Sequence, residues 1–160
     1  MNSAPNFEFR PAQPQDAGVI RDFVRAAYAK WVPIIGREPR PMTADYDQAI
    51  QEHQIEMLFM DGTLVGLIET MVRPDHFWIE NIAVKPDSQG KGLGWRLLAL
   101  AETKAIEAGC AELRLLTNEA FTVNIALYER VGYSIDRREP FVGGGITVHM
   151  SKRLAMASKN

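Results

Sequence analysis

Cysteine is almost missing from this chain: Cys110 is the only one in 160 residues, so no internal disulfide can form. It stands at a helix-to-strand junction with no histidine near it in sequence to activate a thiolate, which favours a small buried apolar residue over a nucleophile. Histidine is scarce too, and His53, His76 and His149 are too scattered to form a metal-ligand cluster. An excess of one charge is also lacking. Lys and Arg number 18 against 20 Asp and Glu, so no basic surplus exists to follow a nucleic-acid backbone or an anionic membrane. No apolar run approaches the ~20 residues of a membrane span, and residues 1–11 hold no apolar core of the signal-peptide kind. These absences predict a cytoplasmic protein with no metal and no nucleic-acid or membrane partner. What remains is ordinary for a globular chain, 46% hydrophobic and 24% charged, and its length makes a single domain over residues 1–160 the simplest expectation.

The most informative stretch is residues 77–108. Phe77–Val84 is rich in β-branched and aromatic residues and reads as a strand, broken by Pro86 and Asp87. Gln89, Gly90, Lys91, Gly92, Leu93 and Gly94 follow, and an amphipathic run then extends to Ala108. Three glycines in five residues allow a tight turn with the backbone N–H groups converging at a helix N-terminus, where free amides and the helix dipole favour an anion. The spacing points to a phosphate or pyrophosphate cradle. It is not a dinucleotide fingerprint, because Gly94 comes one residue early for Gly-x-Gly-x-x-Gly, and no Lys-Ser/Thr pair closes a P-loop.

Turn residues and periodicity organise the rest. Residues 7–10 alternate as a first strand, and Pro14 opens a helix whose apolar positions are Val19, Ile20, Phe23, Val24, Ala27 and Trp31. Pro33, Gly36, Pro39 and Pro41 rule out any long element over residues 31–42. The apolar Trp31, Ile34, Ile35 and Met42 predict a loop that packs over the sheet and shapes a pocket. Thr43 is placed to cap the next helix, which runs to about His53. Residues 55–60 and 64–72 form a hairpin about Asp61 and Gly62. In the helix after the glycines, Leu93, Leu97, Leu98, Ala101 and Ala105 make the buried stripe, with Gly109 at its C-terminus. A helical crossover then requires residues 112–117 to lie parallel to Phe77–Val84. A short helix begins at Thr122 or Asn124 and stops at Gly132. Residues 133–139 and 146–152 close as a hairpin through a mobile Gly143, Gly144 and Gly145 loop, and residues 155–160 fray.

Val84, Pro86, Gln89, Gly90, Gly92, Leu93 and Gly94 fill every specified position of Val-x-Pro-x-x-Gln/Arg-Gly-x-Gly-Ile/Leu-Gly/Ala, and on them the chain resembles the GNAT superfamily of N-acetyltransferases. The resemblance covers nearly the whole chain. It implies a mixed, mostly antiparallel seven-stranded α/β sheet with four helices, its two central strands parallel and splayed. Acetyl-CoA is then the implied cosubstrate, its pyrophosphate on the amides of Gln89, Gly90, Lys91, Gly92, Leu93 and Gly94, and its thioester carbonyl on a backbone N–H of the Ile82, Ala83 and Val84 stretch, from Ile82 or Val84. Asn124 and Tyr128 lie one helical turn apart and resemble the pair in which an asparagine holds the pantetheine arm and a tyrosine sits by the sulfur. Tyr128 would donate a proton to the departing thiolate.

Glu80 resembles the acid that deprotonates the amine. Regular alternation puts it in a row with Trp78, Ile82 and Val84, although relatives commonly carry a bulge here, and a surface carboxylate is the competing reading. Asp45 and Glu69 are other carboxylates that could hold an ammonium. The implied acceptor is a primary amine of a small molecule. A peptide acceptor, a silent acyl-CoA-binding module and a homodimer stay open.

Overall fold

In the computed structural model, which describes residues 4–155, the chain divides into two compact units. One lies within Met1–Glu69 and Asn81–Leu97, the other within Thr70–Glu80 and Leu98–Asn160. Of the frayed end expected from the sequence, residues 156–160 lie outside the described residues.

The first unit begins with β1 (Phe7–Pro11), α1 (Ala17–Tyr28), α2 (Val32–Ile35), α3 (Arg40–Thr43), α4 (Tyr46–Glu52) and β2 (Gln54–Met60). The strands β3 (Thr63–Val72) and β4 (Phe77–Val84) run through both units, as does α5 (Leu93–Glu107). β1 and β2 pair antiparallel from Phe7↔Met60 to Pro11↔Glu56. At the β2–β3 turn Asp61 and Gly62 both take positive φ, +49° and +83°, as a two-residue hairpin with matching twist requires.

Ile20, Val24 and Ala27 of α1 pack with Tyr46, Ala49, Ile55, Met57, Leu67 and Ala83 into one core. Val19, expected in this stripe, is 55% exposed. It sits ~100° around the helix from Ile20, and Ala17, one turn before Ile20, takes the buried position instead. Trp31 and Met42 are buried as expected, whereas Ile34 is 58% exposed. The prolines do not abolish helix over residues 31–43 but divide it into α2 and α3, with Pro33 and Pro41 in their first turns, where a missing N–H is harmless. The cap of α4 also differs from expectation. Asp45 Oδ1 accepts from the Gln48 amide at 3.2 Å, while Thr43 belongs to α3 and donates to the Arg40 carbonyl.

The second unit carries β5 (Glu112–Asn118), α6 (Thr122–Arg130), β6 (Ser134–Pro140) and β7 (Ile146–Arg153). β4 and β5 are parallel, registered from Phe77↔Leu113 to Ile79↔Leu115. β7 pairs antiparallel with both β5 and β6, giving the sheet order β1-β2-β3-β4-β5-β7-β6. Leu93, Leu97, Leu98, Ala101 and Ala105 are all buried, so the stripe on α5 falls where its periodicity put it. Gly109, at φ +77°, ends that helix, and the Cys110 amide donates back to the Ala105 carbonyl at 2.9 Å. Cys110 is buried as a small apolar residue.

Candidate active site

In the first unit, β4 leads into a short 3-10 turn at Pro86–Ser88 and then into the glycine loop. Gly90 and Gly92 take φ of +83° and +79°, a conformation that costs other L-residues about 1–2 kcal/mol. A Cβ at either position would meet no atom within 4 Å, so the space in front of both is open. α5 starts at Leu93, its helical bonding beginning with the Arg96 amide on the Gly92 carbonyl at 3.2 Å. The amides before Arg96 have no carbonyl one turn back to accept them. Open space, left-handed glycines and a helix N-terminus together fit a pyrophosphate.

The Gln89 side chain does not extend toward that space. Its Nε2 donates to the Val84 carbonyl at 3.0 Å, and its Oε1 accepts from Lys30. Along β4, Phe77, Ile79, Asn81 and Ala83 are buried and Trp78, Glu80, Ile82 and Val84 half-buried, an alternation unbroken over the strand. Glu80 therefore does share a face with Trp78, Ile82 and Val84. Within the second unit, Glu80 Oε1 accepts from the Trp78 indole at 2.8 Å.

The other two carboxylates are engaged. Asp45 caps α4, and Glu69, 4% exposed, has its Oε2 2.5 Å from His53 Nδ1.

On α6, Asn124 is half-buried and Tyr128 buried. Burial pushes the Tyr128 phenol up to about 12, so it is neutral at any physiological pH. Its ring centroid lies 6.0 Å from that of Tyr133, and its hydroxyl has no hydrogen-bond partner among the described residues. The end of α6 is tied down from two sides. Tyr133 N–H donates to the Tyr128 carbonyl at 2.9 Å, and Lys152 Nζ donates to the Val131 carbonyl at 2.7 Å while ion-pairing with Glu102 at 2.6 Å. A further hollow of about 390 Å³ in this unit is walled by Trp78, Arg114, Arg137 and His149, with Arg114 on Glu112 at 2.7 Å and Arg137 on Glu139 at 3.2 Å.

A polar network that sequence reading missed joins α1, α4 and β4. Tyr28 Oη lies 2.8 Å from Asn81 Oδ1 and 2.9 Å from the Ile82 carbonyl, Asn81 Nδ2 donates to Tyr46 Oη at 3.3 Å, and Tyr46 donates to the Pro41 carbonyl at 2.6 Å. The one local hint is a tyrosine at the last position of α1, where a partly buried ring needs a partner for its hydroxyl. Among the described residues no group of three His, Cys, Asp or Glu could hold a metal ion, and no helix is long and apolar enough to cross a membrane.

A sequence model described as the Acetyltransferase (GNAT) family matches residues 20–133. No curated protein matches the chain. Among solved structures, the ribosomal-protein-S18-alanine N-acetyltransferase from Escherichia coli superposes with a TM-score of 0.77 at 24% identity, covering 97% of this chain and 98% of that one. The PaiA N-acetyltransferase from Thermoplasma acidophilum, in complex with coenzyme A, gives 0.77 at 19% identity over 93% and 99%. A GNAT family acetyltransferase from Elizabethkingia anophelis with acetyl-CoA bound gives 0.69 at 18% over 93% and 99%. At these identities the likeness is one of fold.

Proposed function

The chain belongs to the GNAT acetyltransferase family, and from that premise we propose that it transfers acetyl from acetyl-CoA to a primary amine of a small molecule, by direct attack in a ternary complex. The carrying observation is the pair of left-handed glycines, Gly90 and Gly92, opening onto free space at the start of α5. Amides from Gln89 to Gly94 would receive the pyrophosphate, and Asn124 the pantetheine arm. An N–H of Ile82 or Val84 would hold the thioester carbonyl and stabilise the oxyanion that develops on it.

Direct transfer needs two proton movements. The amine must lose a proton before it attacks, and the thiolate gains one as it leaves. Glu80 is the base in this reading: its Oε1 is held by Trp78, and Oε2 is the oxygen that takes the proton. For an amine of pKa ~10.4, deprotonation at pH 7 adds about 4–5 kcal/mol to the barrier, against about 1 for an α-amine of pKa ~7.8, so the demand on Glu80 follows the acceptor. Tyr128, neutral because it is buried, is the proton donor to sulfur.

A small acceptor is supported by the segment between α1 and α4. Arg25 pins it by donating to the Met42 carbonyl at 2.8 Å and pairing with Glu38 at 2.7 Å, which suits a fixed pocket wall better than an open peptide groove. The experiment is thiol release from acetyl-CoA across panels of small amines, amino acids and N-terminal peptides. Turnover with peptides alone would replace the small-molecule reading, and no turnover with any amine would remove the proposed reaction.

A further inference from the structure

The Lys85 amide donates to the Val65 carbonyl at 2.9 Å, so the odd-numbered residues at this end of β4 bond toward β3. In an extended strand the N–H and C=O of one residue point the same way, and successive residues alternate. Ile82 and Val84 therefore present both backbone groups along the other edge of β4. Registered pairing of that edge with β5 runs from Phe77 to Ile79 only. Beyond it, side chains take the carbonyls: Tyr28 Oη that of Ile82 at 2.9 Å, and Gln89 Nε2 that of Val84 at 3.0 Å. Lys30, two residues after Tyr28, holds the far end of the Gln89 amide.

We infer that Tyr28 and Gln89 are positioning residues that engage the carbonyls of Ile82 and Val84 and so fix the strand edge whose amides face the acyl carbonyl. The inference rests on the acetyl-CoA reading above. Two features set the pair apart from general packing. They address carbonyls two residues apart, on the same edge as the two candidate oxyanion donors. They also reach that edge from separate elements, Tyr28 from the end of α1 and Gln89 from the glycine loop itself. Loss of its partner frees the Ile82 carbonyl, and with it the Ile82–Ala83 peptide plane, to rotate; the planes on either side of it carry the Ile82 and Val84 N–H groups, which then lose their fixed aim. Binding of the pyrophosphate, which depends on the loop amides, is untouched by the Tyr28 hydroxyl.

Tyr28→Phe keeps the ring and removes only the hydroxyl. Calorimetry with coenzyme A and with acetyl-CoA separates the two halves of the cosubstrate. Loss of one neutral hydrogen bond predicts acetyl-CoA binding weaker by about fivefold, with coenzyme A within about twofold of wild type. A second readout is the backbone amide resonances of Ile82 and Val84. The difference between their acetyl-CoA and coenzyme A shifts, present in wild type, should shrink in Tyr28→Phe. Equal weakening toward both ligands, or unchanged affinity with an unchanged shift difference, overturns the positioning role. Failure of wild type to bind either ligand would instead strike down the acetyl-CoA reading on which it rests.

Discussion

Trp78 donates its indole N–H to Glu80 Oε1 across 2.8 Å, along the half-buried face of β4. The bond holds one carboxylate oxygen and fixes the direction of the other. If Glu80 is the base, Glu80→Gln flattens the rise of rate with pH, and its penalty shrinks as pH approaches the pKa of the acceptor amine. Rates from pH 6 to 10 with two acceptors, of pKa near 8 and near 10, make the comparison. A penalty constant across pH and acceptor would mark Glu80 as structural.

The glycine cradle is open to a charge reversal. Gly92→Glu and Gly92→Gln share the same strain at φ +79° and the same bulk, so their difference isolates charge. Gly92→Glu should bind acetyl-CoA at least tenfold more weakly than Gly92→Gln, a difference of ~1.4 kcal/mol or more. Equal affinities by calorimetry would mean that the pyrophosphate sits elsewhere.

Tyr128→Phe should lower the turnover number by about 100-fold or less, because a thiol of pKa ~8.5 is already a fair leaving group. Affinity for acetyl-CoA should stay within a few-fold of wild type. Since burial holds the phenol neutral up to about 12, wild-type rates should show no fall from its ionisation up to pH 10. Single-turnover rates are the measure, and an undiminished chemical step would return Tyr128 to a packing role.

Stability at high pH follows from the same burial. Unfolded chains ionise both phenols near pH 10, whereas the fold keeps Tyr128 neutral to about 12 and raises Tyr133 further, through desolvation and the nearby Glu102 carboxylate. Both folded values lie above the unfolded ones. The contribution is thus complete below pH 10 and lost as pH climbs toward them, by up to ~1.4 kcal/mol per pH unit for each phenol. Tyr133→Phe should reduce that slope. Its hydroxyl is buried with no hydrogen-bond partner among the described residues, so at pH 7 the variant should be as stable as wild type or more stable by ~1 kcal/mol. Urea titrations at pH 7 and pH 11 measure both effects. A loss of ~2 kcal/mol at pH 7 would show that the hydroxyl finds a partner in solution.

Features set by neighbours along the chain were readable from the sequence. The stripe on α5, the Asp61-Gly62 turn, the end of α5 at Gly109 and the parallel placement of β5 each follow from a short run of residues. Contacts between distant segments were not. Nothing near Tyr28 marks it for the Ile82 carbonyl 54 positions later, and nothing near Lys30 marks Gln89, 59 positions away. Val19 and Ile34 failed for a related reason: hydrophobicity proposes a buried face, but which of two adjacent apolar residues is covered depends on the partner surface. At α4, Thr43 and Asp45 are both chemically able to cap, and the choice fell to Asp45 once α3 had claimed Thr43.

The position of β7 between β5 and β6 has a consequence for synthesis on the ribosome. β6 is made before β7, yet the strand it pairs with is β7, and β5 likewise waits for β7 along its whole length from Glu112 to Asn118. The C-terminal half of the sheet therefore cannot close until residues 146–153 have left the exit tunnel, and until then β5 and β6 each keep the edge meant for β7 unpaired.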